Sequence, residues 1–174
     1  WQFIEGLSPE VVLGKIYSGW QVIDSIPHQA RLIGHALDFG FDPDPAAIVS
    51  IYYYNGGYII DEKLYQTKLL NEHLAIFLKS LPQAPIIADS AEEKAIEDIR
   101  RYGLNIIGAE KGPGSVKAGI KEVQSLKISY TRSSVNLHNE YENYAWKINK
   151  DGDNIGIEDP NCANHLLSAA RYGL

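Results

Sequence analysis

The sequence predicts a mixed α/β fold, with one sheet that carries helices on both faces. The first half holds consecutive β-branched and aromatic runs separated by turn residues, which is typical of antiparallel strands. The second half alternates short apolar runs with segments of helical periodicity, which favours parallel strands joined by helical crossovers. The length of 174 residues and a hydrophobic content of 45% fit one globular domain.

Residues 1–30 are predicted to be a lead-in segment, because glycine and proline are scattered through it and its periodicity is weak. Two short strands are expected in it, around 14–20 and 21–25. Residues 31–174 then form the main domain. The chain starts at Trp1 and contains no methionine, so we expect it to be a piece of a longer protein.

Three antiparallel strands are predicted over 32–66. The tripeptide Asn55-Gly56-Gly57 indicates a tight hairpin between the second and third strands. The predicted strands are 32–38, 46–54 and 58–65.

Helices and strands alternate from residue 70 to the end of the chain. Ser90, with Glu93 three positions on, indicates a capping box, and Ser115 is a second candidate cap. The predicted helices are 70–80, 90–102, 115–125, 133–144 and 161–174. The predicted strands are 84–88, 104–108, 126–131 and 144–148, and 150–153 is predicted to be a turn.

Composition excludes several classes of protein. A single cysteine, Cys162, cannot form an internal disulfide or a CxxC metal site. No apolar run reaches the roughly 20 residues of a membrane span. The sequence contains no GxxxxGK[ST] loop, GxSxG elbow or HExxH motif, so nothing in it indicates ATP hydrolysis, a serine hydrolase or a zinc protease.

The net charge of −6 argues against binding to nucleic acid by bulk charge alone, but the charge is unevenly distributed. Acidic residues dominate 89–98, and basic residues dominate 111–132. Such a pair of patches could hold a polyanion beside a metal ion, and it could equally be the solvated face of helices. The candidate phosphate contacts are Lys111, Lys117 and Lys121.

Two aspartates follow apolar runs that are predicted to be strands. Asp38 ends the run 32–38, and Asp89 follows the run 84–88. If the two strands are neighbours, about 4.8 Å apart, both carboxylates lie at one edge of the sheet. Two close carboxylates need a cation, and oxygen ligands suit Mg²⁺ or Mn²⁺. Asp44 in the DPDP string is a further candidate ligand, although each acid alone could be a turn or capping residue.

The last predicted helix carries His165 and, one turn later, Ser168. Residues three apart share a helix face, so both could point toward the same site. A histidine on an amphipathic helix is also often a packing residue.

Several motifs together resemble the C-terminal nuclease domain of phage and prophage terminase large subunits. They are LIGHALDFGFDPDPAAIV, the run ADSAEEKAIEDIRRYG, and the ending NHLLSAARYGL. They occur in the order and at the spacing of that family, and the resemblance extends over the whole chain, most loosely in the first 30 residues.

The resemblance implies an RNase H-like fold and a metal-dependent endonuclease that cuts concatemeric phage DNA in the host bacterial cytoplasm. It also implies two Mg²⁺ or Mn²⁺ ions held by Asp38 and Asp89, with assistance from His165 and Asp44. The implied partners are double-stranded DNA, an N-terminal ATPase domain outside this chain, a small terminase subunit and the portal.

One position departs from the family pattern. The family ending usually has an aspartate where this sequence has Ser168, which is a poor anionic ligand. Weaker metal binding or a preference for Mn²⁺ is therefore expected. Two alternatives stay open. The first is another RNase H-like nuclease of the resolvase or integrase type, and the second, which Ser168 favours, is a docking module whose nuclease activity is weakened or lost.

Overall fold

The structure is a computed structural model that describes residues 14–174, so the predictions for 1–13 lie outside the described residues. Its main element is a seven-stranded mixed sheet. The strands of this sheet are β1 (Gln21–Ile23), β2 (Arg31–Asp38), β3 (Ala46–Tyr54), β4 (Gly57–Gln66), β5 (Ile86–Ala88), β6 (Ile106–Gly108) and β7 (Ile128–Thr131). Two further strands, β8 (Trp146–Ile148) and β9 (Asn154–Glu158), form a separate two-stranded sheet. The helices are α1 (Asn71–Ser80), α2 (Glu93–Arg100), α3 (Ser115–Gln124), α4 (Val135–Asn143) and α5 (His165–Gly173).

The sheet has the strand order β1-β7-β4-β3-β2-β5-β6. The meander β2-β3-β4 is antiparallel, as predicted, and its tight turn places Asn55 and Gly56 at positive φ. The later strands extend the sheet in parallel, β5 and β6 beside β2, and β7 beside β4. This arrangement confirms the predicted mixed sheet.

Two apolar cores lie on opposite faces of the sheet. Neighbouring residues of β2 point to opposite sides, so Ala36 belongs to one core and Leu37 to the other. Helices α3, α4 and α5 contribute to the core that contains Ala36, and α1 and α2 contribute to the core that contains Leu37. The prediction of helices on both faces is therefore confirmed.

Helix α5 packs closely on the centre of the sheet. Gly173 approaches Ala36 of β2 and Ile51 of β3 so closely that a Cβ at this position would collide with the Ile51 side chain. The first residue of the helix, His165, is thereby held near the carboxyl end of β2. Within residues 14–174, no helix is long and apolar enough to cross a membrane.

Several local predictions were wrong. Residues 14–20 form no strand, and Lys15 makes only an isolated bridge to Ala145. The predicted strand near 144–148 is confirmed as β8, but it pairs only with β9 in a separate two-stranded hairpin, and β9 was not predicted. Its sequence, NIGIE, contains a glycine at positive φ, which weakens the strand signal.

The predicted helix caps were also wrong. Helix α2 begins at Glu93, after a turn in which Asp89 accepts the Ala91 N–H, so Ser90 does not cap it. Gly114 rather than Ser115 is the N-cap of α3. Helix α5 begins at His165, four residues later than predicted, because Asp159 organises the preceding turn by accepting the N–H of Asn161.

Candidate metal site at the carboxyl ends of β2 and β5

Asp38 is the last residue of β2 and lies against the first residue of α5. The Asp38 Oδ2 atom is 3.7 Å from His165 Nδ1, an ion-pair distance, and the Asp38 side chain is 15% exposed. Burial raises the pKa of Asp38 above its ordinary value, and His165 opposes this effect. The structure thus brings together two residues that are 127 positions apart in the sequence.

Asp44 approaches the same imidazole from its other side. Its Oδ1 atom is 3.7 Å from His165 Nε2, but its side chain is 71% exposed. His165 therefore lies between two carboxylates. The nearby carboxylates, Asp38 first, raise the pKa of His165 against the opposing effect of burial.

Asp89 directly follows β5, which pairs in parallel with β2 in a register that places Leu37 opposite Ala88. The two aspartates are therefore at the same edge of the sheet, as predicted, and are close enough for the Asp89 charge to raise the pKa of Asp38. The Asp89 carboxylate forms an ion pair with the Lys111 ammonium and accepts the Ala91 N–H. Burial works to raise the pKa of Asp89, but these two groups outweigh it, so the pKa lies below its ordinary value.

Glu140 is a functional candidate that the sequence analysis missed. Glu140 is 3% exposed, and its carboxylate accepts the backbone N–H groups of His165 and Leu167, at 3.1 and 3.0 Å. Glu140 thus caps α5 from α4, at the end that carries His165. Burial raises its pKa to about 7. No local signal distinguishes it from the exposed polar residues of α4, because its burial depends on the packing of two helices.

Two side chains near the end of α5 also border the site. Tyr172 lies beside Asp89, and burial with the charges of Asp38 and Asp89 raises its pKa well above the ordinary value. Arg171 lies with its guanidinium 5.6 Å from the Tyr172 ring centroid, and its buried Nη1 atom has no hydrogen-bond partner among the described residues. The site therefore has positive as well as negative groups.

Other predicted site residues are less closely connected to these acids. Ser168 is 7% exposed, and its side chain makes no hydrogen bond to the site acids in the described part of the chain. Lys117 and Lys121 lie four residues apart on α3, and both are exposed. Neither forms an ion pair with Asp38 or Asp89 within 14–174.

The donor set fits a hard divalent cation by its chemistry, since carboxylate oxygens and an imidazole nitrogen suit Mg²⁺ and Mn²⁺. Residues 14–174 do not, however, present three or more acidic, histidine or cysteine side chains already converged on one point. Each half-buried aspartate instead faces a basic side chain: Asp89 faces the Lys111 ammonium, and Asp38 faces the His165 imidazole. A metal ion would have to compete with these partners.

The comparison with protein families matches residues 38–174 to the model described as "Terminase RNAseH like domain". The large terminase subunit of Bacillus phage SPP1 is 38% identical over 151 residues, which cover 80% of this chain and 35% of that protein. The PBSX phage terminase large subunit of Bacillus subtilis (strain 168) is 33% identical over 151 residues, covering 79% of this chain and 33% of that protein. The chain thus spans about a third of the length of these relatives.

A solved structure resembles the whole described fold. The large terminase nuclease domain of bacteriophage SPP1, determined with bound Mn, has a TM-score of 0.75 and 29% sequence identity. The match covers 93% of this chain and 97% of that domain. The predicted RNase H-like architecture is confirmed by this likeness.

Proposed function

Since this chain belongs to the terminase RNase H-like domain family, we propose that it is the metal-dependent endonuclease domain of a viral DNA-packaging terminase large subunit. The observation that carries the proposal is the convergence of Asp38 and Asp89 at the carboxyl ends of two neighbouring parallel strands. The similar SPP1 domain, solved with Mn, supports a divalent ion as the cofactor.

Asp38 and Asp89 would be the principal metal ligands, with His165 and Asp44 as further ligands. The ions, two in this proposal, would activate a water molecule and stabilise the charge on the leaving oxygen of a phosphodiester. His165 contacts both Asp38 and Asp44, so it orients the Asp38 side of the site. Lys111, Lys117 and Lys121 would contact backbone phosphates, which gives binding without sequence specificity.

The substrate we propose is concatemeric double-stranded phage DNA, cut in the host bacterial cytoplasm. The proposed partners are an N-terminal ATPase domain of the full-length protein, a small terminase subunit and the portal. These proposals rest on the family and on relatives of which the match covers about a third.

The central test is cleavage of plasmid DNA in Mn²⁺ by Asp38→Ala and Asp89→Ala variants. Each substitution should lower cleavage by at least about a hundredfold, because each removes a ligand of the metal ions that would stabilise the negative charge of the transition state. The control is Asp98→Ala, which removes an exposed carboxylate of α2 that bonds to Asn71. Circular dichroism should be unchanged in all three variants, and wild-type cleavage by either site variant would refute the assignment.

Substrate comparison separates the proposed activity from that of other RNase H-like nucleases. A terminase-type domain should cut linear and plasmid duplex DNA better than four-way junctions or RNA–DNA hybrids. Preference for the junction would favour a resolvase, and preference for the hybrid would favour a ribonuclease.

Ser168 favours a second candidate, a docking module with weakened or lost nuclease activity. Serine cannot supply the negative charge that the family usually places on the last helix. In that case the wild-type domain would retain its partner contacts and cleave poorly in both Mg²⁺ and Mn²⁺.

A further inference from the structure

Lys111 places its ammonium group on a carboxylate that the proposed metal site needs. The ammonium forms an ion pair with Asp89 Oδ1, and about a third of the Lys111 side chain is exposed, against a fifth of the Asp89 side chain. The ammonium also lies 5.6 Å from the centroid of the Tyr172 ring. A monovalent protein cation therefore occupies Asp89 in the structure as described.

The backbone of Lys111 lies in a loop, outside the sheet and the helices. It belongs to the connection between β6 and α3, residues 109–114, which contains Gly112 and ends with Gly114 in the left-handed region. Unlike Asp38, which belongs to a central strand, Lys111 is fixed by no strand or helix. A four-carbon side chain on such a loop can redirect its ammonium at little cost.

A groove beside the ion pair offers a second place for that ammonium. Its volume is about 520 Å³, and its charged lining residues are Lys111 and Arg171 on one side of the balance and Glu110 and Glu122 on the other. Tyr172 and the start of α3 line it as well. Because the two basic and two acidic lining residues balance, the Lys111 ammonium released from Asp89 is the group that a backbone phosphate would contact in this groove.

We propose that Lys111 is an exchangeable internal counter-ion: it neutralises Asp89 while no metal is bound, yields Asp89 to the divalent ion, and then contacts a DNA phosphate in the adjacent groove. This inference rests on the proposed function, and it deepens the phosphate role of Lys111. One Asp89 oxygen cannot bind the ammonium and a divalent ion equally well, because the two cations repel each other. Metal binding therefore releases a positive charge where the substrate backbone is expected.

A purely structural role for Lys111 makes the opposite prediction. If Lys111 only holds Asp89 in the orientation that the metal needs, its removal weakens metal binding. If Lys111 competes with the metal, its removal tightens metal binding. The sign of the change distinguishes the two roles without any measurement of catalysis.

The experiment is a calorimetric titration of the metal-free domain with Mn²⁺, without DNA, using Lys111→Met. The substitution should tighten Mn²⁺ binding about two- to fivefold, the range expected for a partly exposed ion pair. Lys79→Met is the matched control, because it removes the same charge from an exposed position on α1 that has no part in the proposed site. At 0.15 M salt its effect should be smaller than about 1.5-fold, because solvent and ions screen that charge.

Duplex DNA binding supplies a second measurement, in Ca²⁺ so that cleavage does not interfere. Lys111→Met should weaken DNA binding and lower the slope of log K against log salt by about 1, as expected for one lost phosphate contact. The same variant thus binds metal more tightly and DNA more weakly. Unchanged or weaker Mn²⁺ binding, or an unchanged salt slope, overturns the exchange role.

Asp89→Ala separates failure of this inference from failure of the proposed function. If wild-type Mn²⁺ binding exceeds that of Asp89→Ala but Lys111→Met does not tighten it, only the exchange is refuted. If the wild type, Lys111→Met and Asp89→Ala all bind Mn²⁺ equally, the assignment of Asp89 as a metal ligand is refuted as well.

Discussion

The two halves of the candidate site are built on different kinds of structure. The core half consists of Asp38, His165 and Glu140, which belong to a central strand and two packed helices. The loop half consists of Asp89 and Lys111, which lie in connections just beyond β5 and β6. The halves differ in electrostatics too, since the pKa of Asp38 is raised and that of Asp89 is lowered.

This difference shows that equivalent positions at strand ends do not create equivalent carboxylates. Asp38 loses solvent to the α5 helix packed over it, so its charged form is disfavoured. Asp89 keeps more solvent and gains an ammonium and a backbone N–H, so its charged form is favoured. The core half therefore supplies rigidity, and the loop half supplies a cation that can be exchanged.

The largest effect on stability is expected from Glu140, which caps α5 in the core half of the site. At pH 5, Glu140→Ala should destabilise the domain by about 2 kcal/mol, because it leaves buried N–H groups of α5 without an acceptor. The measurement is urea unfolding followed by circular dichroism. Glu142→Ala is the control on the same helix; it removes a largely exposed partner of Lys15 and should cost less than about 0.5 kcal/mol.

The Glu140 effect should also depend on pH. The folded pKa of about 7 exceeds the ordinary value of 4.5. The contribution of Glu140 to folding stability is therefore complete below about pH 4.5 and is lost as the pH rises through about 7. The cost of Glu140→Ala should shrink between pH 5 and pH 8, and a cost that grew over this range would contradict the pKa direction.

An intermediate effect is expected from Ser168→Asp, which adds a buried carboxylate to the core half. Without metal the variant should be less stable by about 1–2 kcal/mol, because the new charge is desolvated. Mn²⁺ should restore stability through tighter binding to the folded state. Thermal unfolding with and without Mn²⁺ measures both effects. No gain in metal binding or cleavage would favour the docking module over an active nuclease.

The smallest effects on stability are expected when each of the two aspartates is replaced in metal-free protein at pH 8. Asp38→Asn should stabilise the domain, by up to about 1 kcal/mol, since it removes a charge that burial disfavours. Asp89→Asn should destabilise it by no more than about 1 kcal/mol, because it breaks a partly exposed ion pair. Chemical unfolding with EDTA present measures both changes in stability. If both changes had the same sign, the claim that the charge is disfavoured at Asp38 and favoured at Asp89 would be wrong.

The contributions of Asp38 and Asp89 to folding stability depend on pH in opposite directions. A raised folded pKa gives Asp38 a stabilising contribution below its ordinary value of 3.8, which is lost as the pH rises through the folded pKa. A lowered folded pKa gives Asp89 a contribution present above 3.8, which is lost as the pH falls through the folded value. The gain in stability from Asp38→Asn should therefore become smaller when the pH is lowered to 4, whereas the loss of stability from Asp89→Asn should persist.

Much of the fold was predictable because its signals are local. The Asn55-Gly56 turn and the flanking runs specify a hairpin within about twenty residues. A β-branched and aromatic run marks β3, and an amphipathic helical pattern marks α5. The helix starts were less predictable, because Ser90 and Ser115 fit a capping pattern that neighbouring turns pre-empt. The second strand of the β8–β9 hairpin was missed because it is short, largely exposed and interrupted by Gly156.

The amino-acid sequence by itself determined the mixed sheet, the family, and the two aspartates at the ends of apolar strands. Only the tertiary structure decided that Lys111 meets Asp89, that Glu140 caps the helix that begins with His165, and that the two aspartates have opposite pKa shifts. The physical reason is distance along the chain. Strand and turn preferences act between neighbouring residues, whereas desolvation and ion pairing depend on groups that become neighbours only when the chain has folded.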